Sequence, residues 1–265
     1  MMKISLITVT YNADKFLAEC LASVKSQMGI DIEYIVIDGL SSDNTVNIIQ
    51  QYNNVISRFV SEKDGGIYDA MNKGIQMATG DIIGILNADD ALANNTVLFD
   101  IQKEFKRSGA DIVYGDLDYV DSTNTNIVLR KWKSRPYNPG IFQWGWMPAH
   151  PTFYARKELF EKYGNYRLDM GSAADYQLMI RFMHKHQVKS TYLPGVMVKM
   201  RVGGASNGSM ESRLKANFSD MRAMKLNGIK HPRLTALLKP LRKLPQFFSY
   251  SFVSTKLLRL VPDFI

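Results

Sequence analysis

The chain has 265 residues, 46% hydrophobic and 22% charged, with one cysteine and a formal charge of +8. That length and balance suit a globular chain of one large or two modest domains, and a lone cysteine excludes a disulfide framework within one chain. No stretch approaches the ~18 consecutive apolar residues of a membrane span, and the basic charge comes without a recognisable nucleic-acid-binding motif.

The N-terminus enters a strand pattern directly, Ile4 to Thr10, without the basic region, apolar stretch and cleavage site of a secretion signal. A cytoplasmic, reducing compartment is therefore expected. A helix over Asp14 to Met28 follows, in which Leu17, Cys20, Leu21, Val24 and Met28 keep helical spacing behind an Asp14 cap. The pattern continues as a strand (Tyr34 to Asp38), a helix (Asp43 to Tyr52), a strand (Arg58 to Ser61) and a helix (Ile67 to Ala78). A strand (Ile82 to Leu86) and a helix (Asn94 to Arg107) complete this half. Such alternation predicts an α/β fold with a doubly wound, mostly parallel sheet whose ligands collect at the strands' carboxyl ends. Three acidic sites fall there: Asp38, Glu62 with Asp64, and Asp89 with Asp90.

From Asp111 the pattern predicts a mixed half. Strands over Asp111 to Val120 and Asn126 to Trp132 lead into a loop holding Pro136, Pro139 and Pro148. A strand (His150 to Tyr154), a helix (Ala173 to His186), a strand (Lys189 to Met200), the glycine-rich run Gly203 to Gly208 and a helix (Met210 to Leu226) follow. From Ile229 onward seven Lys or Arg face one acid, so this tail carries +6 of the +8. Its cations are interleaved with Leu234, Leu237, Leu238, Leu241 and Leu244, then Phe247, Phe248, Tyr250 and Phe252. That composition suits an anionic membrane surface; packing on its own domain or on a second subunit is the alternative. Pro240, Pro245 and Pro262 break any long helix here. The expected division is a domain over 1–228 and a tail over 229–265.

The apolar strand at Ile82 to Leu86 stops abruptly at Asn87-Ala88-Asp89-Asp90. Two carboxylates at a strand's carboxyl end suit Mg²⁺ or Mn²⁺, which take oxygen ligands and share phosphate oxygens with a substrate; a plain polar turn is the alternative. The turn after the first strand, Thr8 to Asp14, lacks the glycine fingerprint of dinucleotide-binding dehydrogenases, and no phosphate-cradling P-loop is present. Thr8, Tyr11 and Asn12 can instead contact a base or ribose, and Asp38 can accept hydrogen bonds from a base edge. Gly65 and Gly66 either let the backbone approach a sugar or form a tight turn.

Together these pieces resemble the inverting family 2 glycosyltransferases of GT-A fold. The resemblance rests on ThrValThrTyrAsn at 8 to 12, AspGlyLeuSerSerAspAsnThr at 38 to 45, GluLysAspGlyGlyIleTyrAspAlaMetAsnLysGly at 62 to 74, AlaThrGlyAsp at 78 to 81 and AsnAlaAspAsp at 87 to 90. With HisProThrPheTyr at 150 to 154 and ValGlyGlyAlaSer at 202 to 206, the chain looks like the colanic-acid and surface-polysaccharide transferases of bacteria. The resemblance implies that Asp38 binds the nucleotide base, with Thr8, Tyr11, Asn12 and Ser41 around it. Asp69, Asn72 and Lys73 would support the donor sugar and diphosphate. Asn87 and Asp89 would lie beside the donor, and Asp89 with Asp90 would form the DXD-type metal motif, Asp90 the direct ligand. Asn87 departs from the family's aspartate there, which removes one charge.

The resemblance also implies an acceptor-side general base, and Asp175 is the candidate; Ala174 stands where the family usually has a glutamate. An ordinary N-terminal helix aspartate is the alternative. His150 could orient the acceptor, sit near the pyrophosphate, or be structural. Trp144 and Trp146 could stack on an acceptor sugar or plug the core. Arg201 and the glycine loop could close over the donor phosphates, or the loop could be a flexible link. The expected activity is metal-dependent inverting transfer of a sugar from a UDP- or GDP-linked donor to a glycan or polyprenyl-linked acceptor in surface-polysaccharide synthesis, without nucleic acid. Peripheral contact with the inner face of the cytoplasmic membrane is part of that expectation. A sugar nucleotidyltransferase and a non-catalytic nucleotide- or glycan-binding protein are the alternatives from other classes.

Overall fold

Two apolar patterns with different periods build the molecule: runs buried on both faces, which become central strands, and helical stripes that cover them. A computed structural model describes residues 2–203, 210–242 and 246. In chain order the first half holds β1 (Ile4–Thr10), α1 (Leu17–Lys25), β2 (Ile32–Asp38), α2 (Thr45–Gln50), β3 (Arg58–Ser61), α3 (Ile67–Met77), β4 (Ile82–Ile85), β5 (Ala91–Leu92) and α4 (Val97–Ser108). The second holds β6 (Ile112–Val120), β7 (Val128–Trp132), β8 (Tyr154–Arg156), α5 (Lys157–Tyr163), α6 (Ala174–Met179), β9 (Ser190–Arg201), α7 (Met210–Leu226) and α8 (Pro232–Leu241).

The strands form one sheet in the order β3-β2-β1-β4-β8-β6-β9-β5, with β7 paired to β6. The β3-β2-β1-β4 side is parallel throughout, and β6 is parallel to β9. Antiparallel β8 joins the two parallel groups, while β5 and β7 are antiparallel additions. This is the mixed α/β architecture expected, with the mixing confined to the half after residue 111. Parallel register sets Thr10 beside Asp38 and Asp38 beside Ser61, so three polar side chains meet at the carboxyl ends of β1, β2 and β3.

Several boundaries differ from expectation for local reasons. Asp14 does not cap α1: the helix starts at Leu17 without a side-chain cap, and the Asp14 backbone N–H is bonded to Asp43 Oδ2 at 3.2 Å. The strand expected over His150 to Tyr154 is a 3₁₀ turn (His150–Thr152) followed by the short β8. Pro151 enters that turn at its start, where the missing N–H costs nothing. The helix expected to reach His186 relaxes at Ile180 into a π-type turn. The Gly203 to Gly208 loop beyond Gly203, and the tail from 243 onward apart from Gln246, lie outside the described residues. The part of the tail that is described contains α8, which packs on the domain: Thr235 donates to the Gln143 carbonyl and Lys239 pairs with Asp220.

The join between β4 and β8 depends on a glycine. A Cβ at Gly84 would lie 2.1 Å from Cε1 of Tyr154, a ring that is fully buried. Gly84→Ala should therefore destabilise the fold by about 3 kcal/mol, the upper range for overpacking, and lower the thermal midpoint by roughly 6–12 °C. An unchanged melting curve would show that Tyr154 can yield.

Candidate active site

The donor side is built on Asp38. Burial by itself pushes this carboxyl upward, but hydrogen bonds from Ser41, Ser61 and Thr10 outweigh it and hold the group below the usual carboxylate range. The donors are Thr10 Oγ1 at 2.9 Å, Ser61 Oγ at 2.6 Å, the Ser41 backbone N–H at 3.0 Å and the Ser41 hydroxyl. Four donors fill the acceptor sites of a carboxylate. A base edge can reach Asp38 only by displacing one, and the rotatable Ser41 hydroxyl is the easiest to turn away.

Asn12 sits in the left-handed region (φ 47°) and ties its loop to the next one. Its Oδ1 accepts from the Ser42 N–H at 2.9 Å, and its own N–H donates to Ser41 Oγ at 2.8 Å. Tyr11, Leu40 and Ile67 are left exposed. At Gly39 an added Cβ would lie 2.6 Å from Asp64 and 3.4 Å from Tyr11, so these three groups converge on one spot.

Two residues expected around the donor lie elsewhere. Thr8 is fully buried and accepts from the Tyr34 hydroxyl at 2.9 Å; it shares a face with Thr10 but lies one pleat deeper. Thr10 and Ser61, not Thr8, complete the Asp38 cluster. Asn72 makes a two-point bond to the Tyr166 backbone (2.9 and 3.0 Å) and so joins α3 to the acceptor side. Asp69 accepts from the Gly65 N–H at 2.8 Å, and Lys73 reaches Glu62 at 2.8 Å and the Lys63 carbonyl at 3.1 Å. The Gly65-Gly66 turn is thus pinned by Asp69 and by Asp64, which accepts from the Gly66 N–H at 2.8 Å.

At the end of β4 the chain turns through Asn87 to Asp90, closed by the Asp90 N–H to the Asn87 carbonyl at 3.0 Å. Asp90 is fully buried. Burial first, then the charge of Asp89, pushes its carboxyl well above the ordinary range, against the pull of Asn87 and Arg201. Asn87 Nδ2 donates to Asp90 Oδ2 at 3.3 Å, but Asn87 Oδ1 and Asp90 Oδ1 are buried without a hydrogen-bond partner. Orphaned buried acceptors are costly and call for a missing partner. With Asp89 beside them they form an oxygen-only donor set suited to Mg²⁺ or Mn²⁺. No cluster of three His, Cys, Asp or Glu exists among the described residues, so diphosphate and water oxygens would complete the coordination. Below this turn the Cys20 thiol reaches the Asn87 carbonyl at 3.4 Å, and burial followed by the charge of Asp90 pushes it up to about 12.

Arg201 is held by the scaffold. Its buried guanidinium pairs with Glu19, donates to the Asp89 carbonyl at 2.7 Å and lies 4.6 Å over the Phe16 ring. It braces the Asn87–Asp90 turn against α1.

On the acceptor side, His150 Nδ1 lies 3.3 Å from Asp175 Oδ2, and Asp175 Oδ1 accepts from the Tyr176 N–H at 2.7 Å. His150 is seated by the turn around Thr152, whose hydroxyl bonds to Ala149 and Gly115 backbone atoms. Burial and then the charge of Asp175 push the Tyr68 phenol upward, which sets α3 against the same carboxylate.

Sequence reasoning missed Tyr119. Its ring is covered by the Arg130 guanidinium at 3.6 Å and by parallel Trp132 with centroids 6.3 Å apart. Burial pushes its phenol up and Arg130 pulls it down; Asp90 and Asp175 both add upward pushes. One phenol therefore feels the Asp90 and Asp175 carboxylates together. β6 carries it there, since Val120 is paired with Arg201 next to the Asn87–Asp90 turn. The two tryptophans part company: Trp146 is 7% exposed in a cluster with Tyr114, Tyr137 and Phe142, whereas Trp144 is 59% exposed.

Comparison with known proteins fits this arrangement. A "PGL/p-HBAD biosynthesis glycosyltransferase" from Mycobacterium tuberculosis is 29% identical over 219 residues, 77% of this chain and 78% of that one. The structure of Staphylococcus aureus TarS 1–349 with UDP-GlcNAc superposes at a TM-score of 0.65 with 17% identity, covering 94% of this chain and 74% of that one. The mannosyltransferase PcManGT of Pyrobaculum calidifontis, in complex with GDP-Man and Mn²⁺, gives 0.65 with 19% identity, covering 93% and 73%. Both structural neighbours share the GT-A fold that the sheet order describes. The family model "Glycosyl transferase family 2" matches residues 5–164, which hold the Asp38 cluster, the Asn87–Asp90 turn and His150, and the chain belongs to that family.

Proposed function

We propose that this chain transfers a sugar, with inversion, from a UDP- or GDP-linked donor to a hydroxyl of a glycan acceptor in surface-polysaccharide synthesis. The acceptor is lipid-linked and met at the inner face of the cytoplasmic membrane. The catalytic unit is 1–228, and 229–265 is an appended basic segment. The observation that carries the reading is the His150–Asp175 pair together with the orphaned oxygens of Asn87 and Asp90. A base and a cation-binding cluster are what a displacement at a diphosphate-bearing carbon requires.

In this reading Asp175 takes the proton of the acceptor hydroxyl while that oxygen bonds to the anomeric carbon from the face opposite the diphosphate. The bond from the anomeric carbon to the diphosphate oxygen breaks with its electron pair, which inverts the configuration. His150 orients the Asp175 carboxylate, and the Asp38 cluster shapes the nucleotide end. Asp89 and Asp90, with Asn87 Oδ1 alongside, would hold a divalent cation, which when bound neutralises charge on the leaving diphosphate. The UDP-GlcNAc complex of TarS and the GDP-Man and Mn²⁺ complex of PcManGT support a nucleotide-sugar donor and a metal.

Thermal unfolding with UDP, GDP, dTDP and their sugars, each with and without Mn²⁺ or Mg²⁺, tests the reading. A ligand at about 100 times its Kd adds about 2.7 kcal/mol, so one nucleotide series should raise the midpoint by roughly 5–10 °C, and only with metal. No response to any nucleotide would overturn the reading.

A further inference from the structure

The helices of a folded domain turn their apolar side inward, and α8 does the reverse. Its inner side carries Thr235 and Lys239. Thr235 is fully buried and donates to the Gln143 carbonyl at 2.7 Å; Lys239 pairs with Asp220 at 2.6 Å and lies 3.7 Å over the Tyr176 ring. Its outer side carries Leu234, Leu237 and Leu241, which are 50%, 68% and 56% exposed. At helical spacing the three leucines fall within an arc about 60° wide, with Arg233 and Arg242 on its two sides.

We propose that this outer face of α8 docks on an anionic lipid bilayer, the leucines entering the interface and Arg233 and Arg242 meeting headgroup phosphates. An apolar stripe flanked by cations is the pattern of a helix that lies in a membrane interface. Charge selects this occupant over the others. A second copy of the chain would set the same arginines face to face across a two-fold contact. Residues 243–265 carry Lys243, Lys256 and Arg259 against Asp263 alone, so closing that segment over the leucines would bring cations to cations.

The attachment of α8 carries docking toward the acceptor side. A Cβ at Gly145 would lie 2.6 Å from the Lys239 backbone nitrogen, so loop and helix pack backbone to backbone. Exposed Trp144 stands between the two contact points, Gln143 and Gly145, and indoles favour the membrane interface. Tyr176, under Lys239, is the neighbour of Asp175. The docked helix thus sets the Trp144 loop at the lipid surface where a polyprenyl-linked acceptor would arrive; that last step rests on the proposed function, whereas the docking does not.

Flotation of the full-length protein with phosphatidylcholine vesicles, with and without phosphatidylglycerol, tests the proposal. The expected result is binding to the anionic vesicles that weakens with salt. The triple variant Leu234→Gln, Leu237→Gln, Leu241→Gln should lose at least about tenfold in partitioning. The pair Arg233→Gln, Arg242→Gln should lose about tenfold of the preference for anionic lipid. None of these side chains is buried, so both variants should keep the melting midpoint and the nucleotide response. Absence of flotation, or flotation unchanged in the triple variant, overturns the proposal. So does a wild-type dimer that the triple variant abolishes. Lost flotation with nucleotide stabilisation intact refutes docking alone, and the opposite pattern refutes the transferase reading alone.

Discussion

Asp175→Asn should lower the transfer rate by about 1000-fold while leaving donor binding and the melting midpoint near wild type. The magnitude is that of a positioned general base. Asparagine is nearly isosteric, keeps an oxygen to accept from the Tyr176 N–H while its amide NH2 takes the place of the oxygen beside His150, and serves a helix start as well as aspartate does. It cannot take a proton. The substitution therefore separates the two meanings of this carboxylate: an aspartate that merely begins α6 would be replaced without loss. The measurement is turnover of the nucleotide sugar that stabilises the wild type, alongside stabilisation by the matching nucleoside diphosphate. Full activity in the variant would remove Asp175 from the chemistry.

Asp90→Asn should act in two directions at once. In the metal-free protein burial holds the Asp90 carboxyl well above its ordinary range. The folded state therefore keeps a proton that the unfolded chain has released above the ordinary aspartate pKa near 4. More protons bound in the folded state means that stability falls as pH rises from that value toward the folded-state pKa, and at neutral pH Asp90 is a net cost. Asparagine removes the charge, and its amide can supply a donor to the orphaned Asn87 Oδ1. The metal-free variant should melt a few degrees higher than wild type at pH 7, where about 1 kcal/mol corresponds to about 2–4 °C, with the gain shrinking toward pH 4. Transfer should fall at least about 100-fold, and Mn²⁺ should no longer strengthen nucleotide binding. Melting curves in EDTA across that pH range check the first half, and nucleotide titrations with and without Mn²⁺ check the second. A variant that melts lower without metal, or that still responds to it, would refute this account of the site.

The residues of the candidate site were legible to different degrees. The Asn87–Asp90 turn could be read directly because an apolar run ending in acids is a local pattern. The partners of Asp38 were not legible: Thr10 and Ser61 arrive through parallel strand register, which no local window contains. Thr8 carries the same side-chain type as Thr10, and only the depth of the pleat separates a buried hydroxyl from one at the rim. Asn72 and Tyr166 are 94 positions apart, and Glu19 and Arg201 are 182 apart. Their pairings brace the scaffold across distances no local window spans. Tyr119 escaped notice because an aromatic residue in a strand is ordinary; the charges of Asp90 and Asp175 reach it only once β6 lies against β9.

Composition and periodicity were enough to establish a mostly parallel α/β sheet, acids at its carboxyl ends and a basic amphipathic tail, because each follows from side-chain spacing of 2 or 3.6 along a few residues. They were silent on which way amphipathic α8 would turn and on which distant groups would pair. Both depend on what a surface finds opposite it once the chain has closed. Thr235 and Lys239 found Gln143 and Asp220, and that left the leucines facing out. His150 found Asp175 because one 3₁₀ turn and one helix start were brought to the same edge of the sheet, and the chemistry proposed for this chain rests on that meeting.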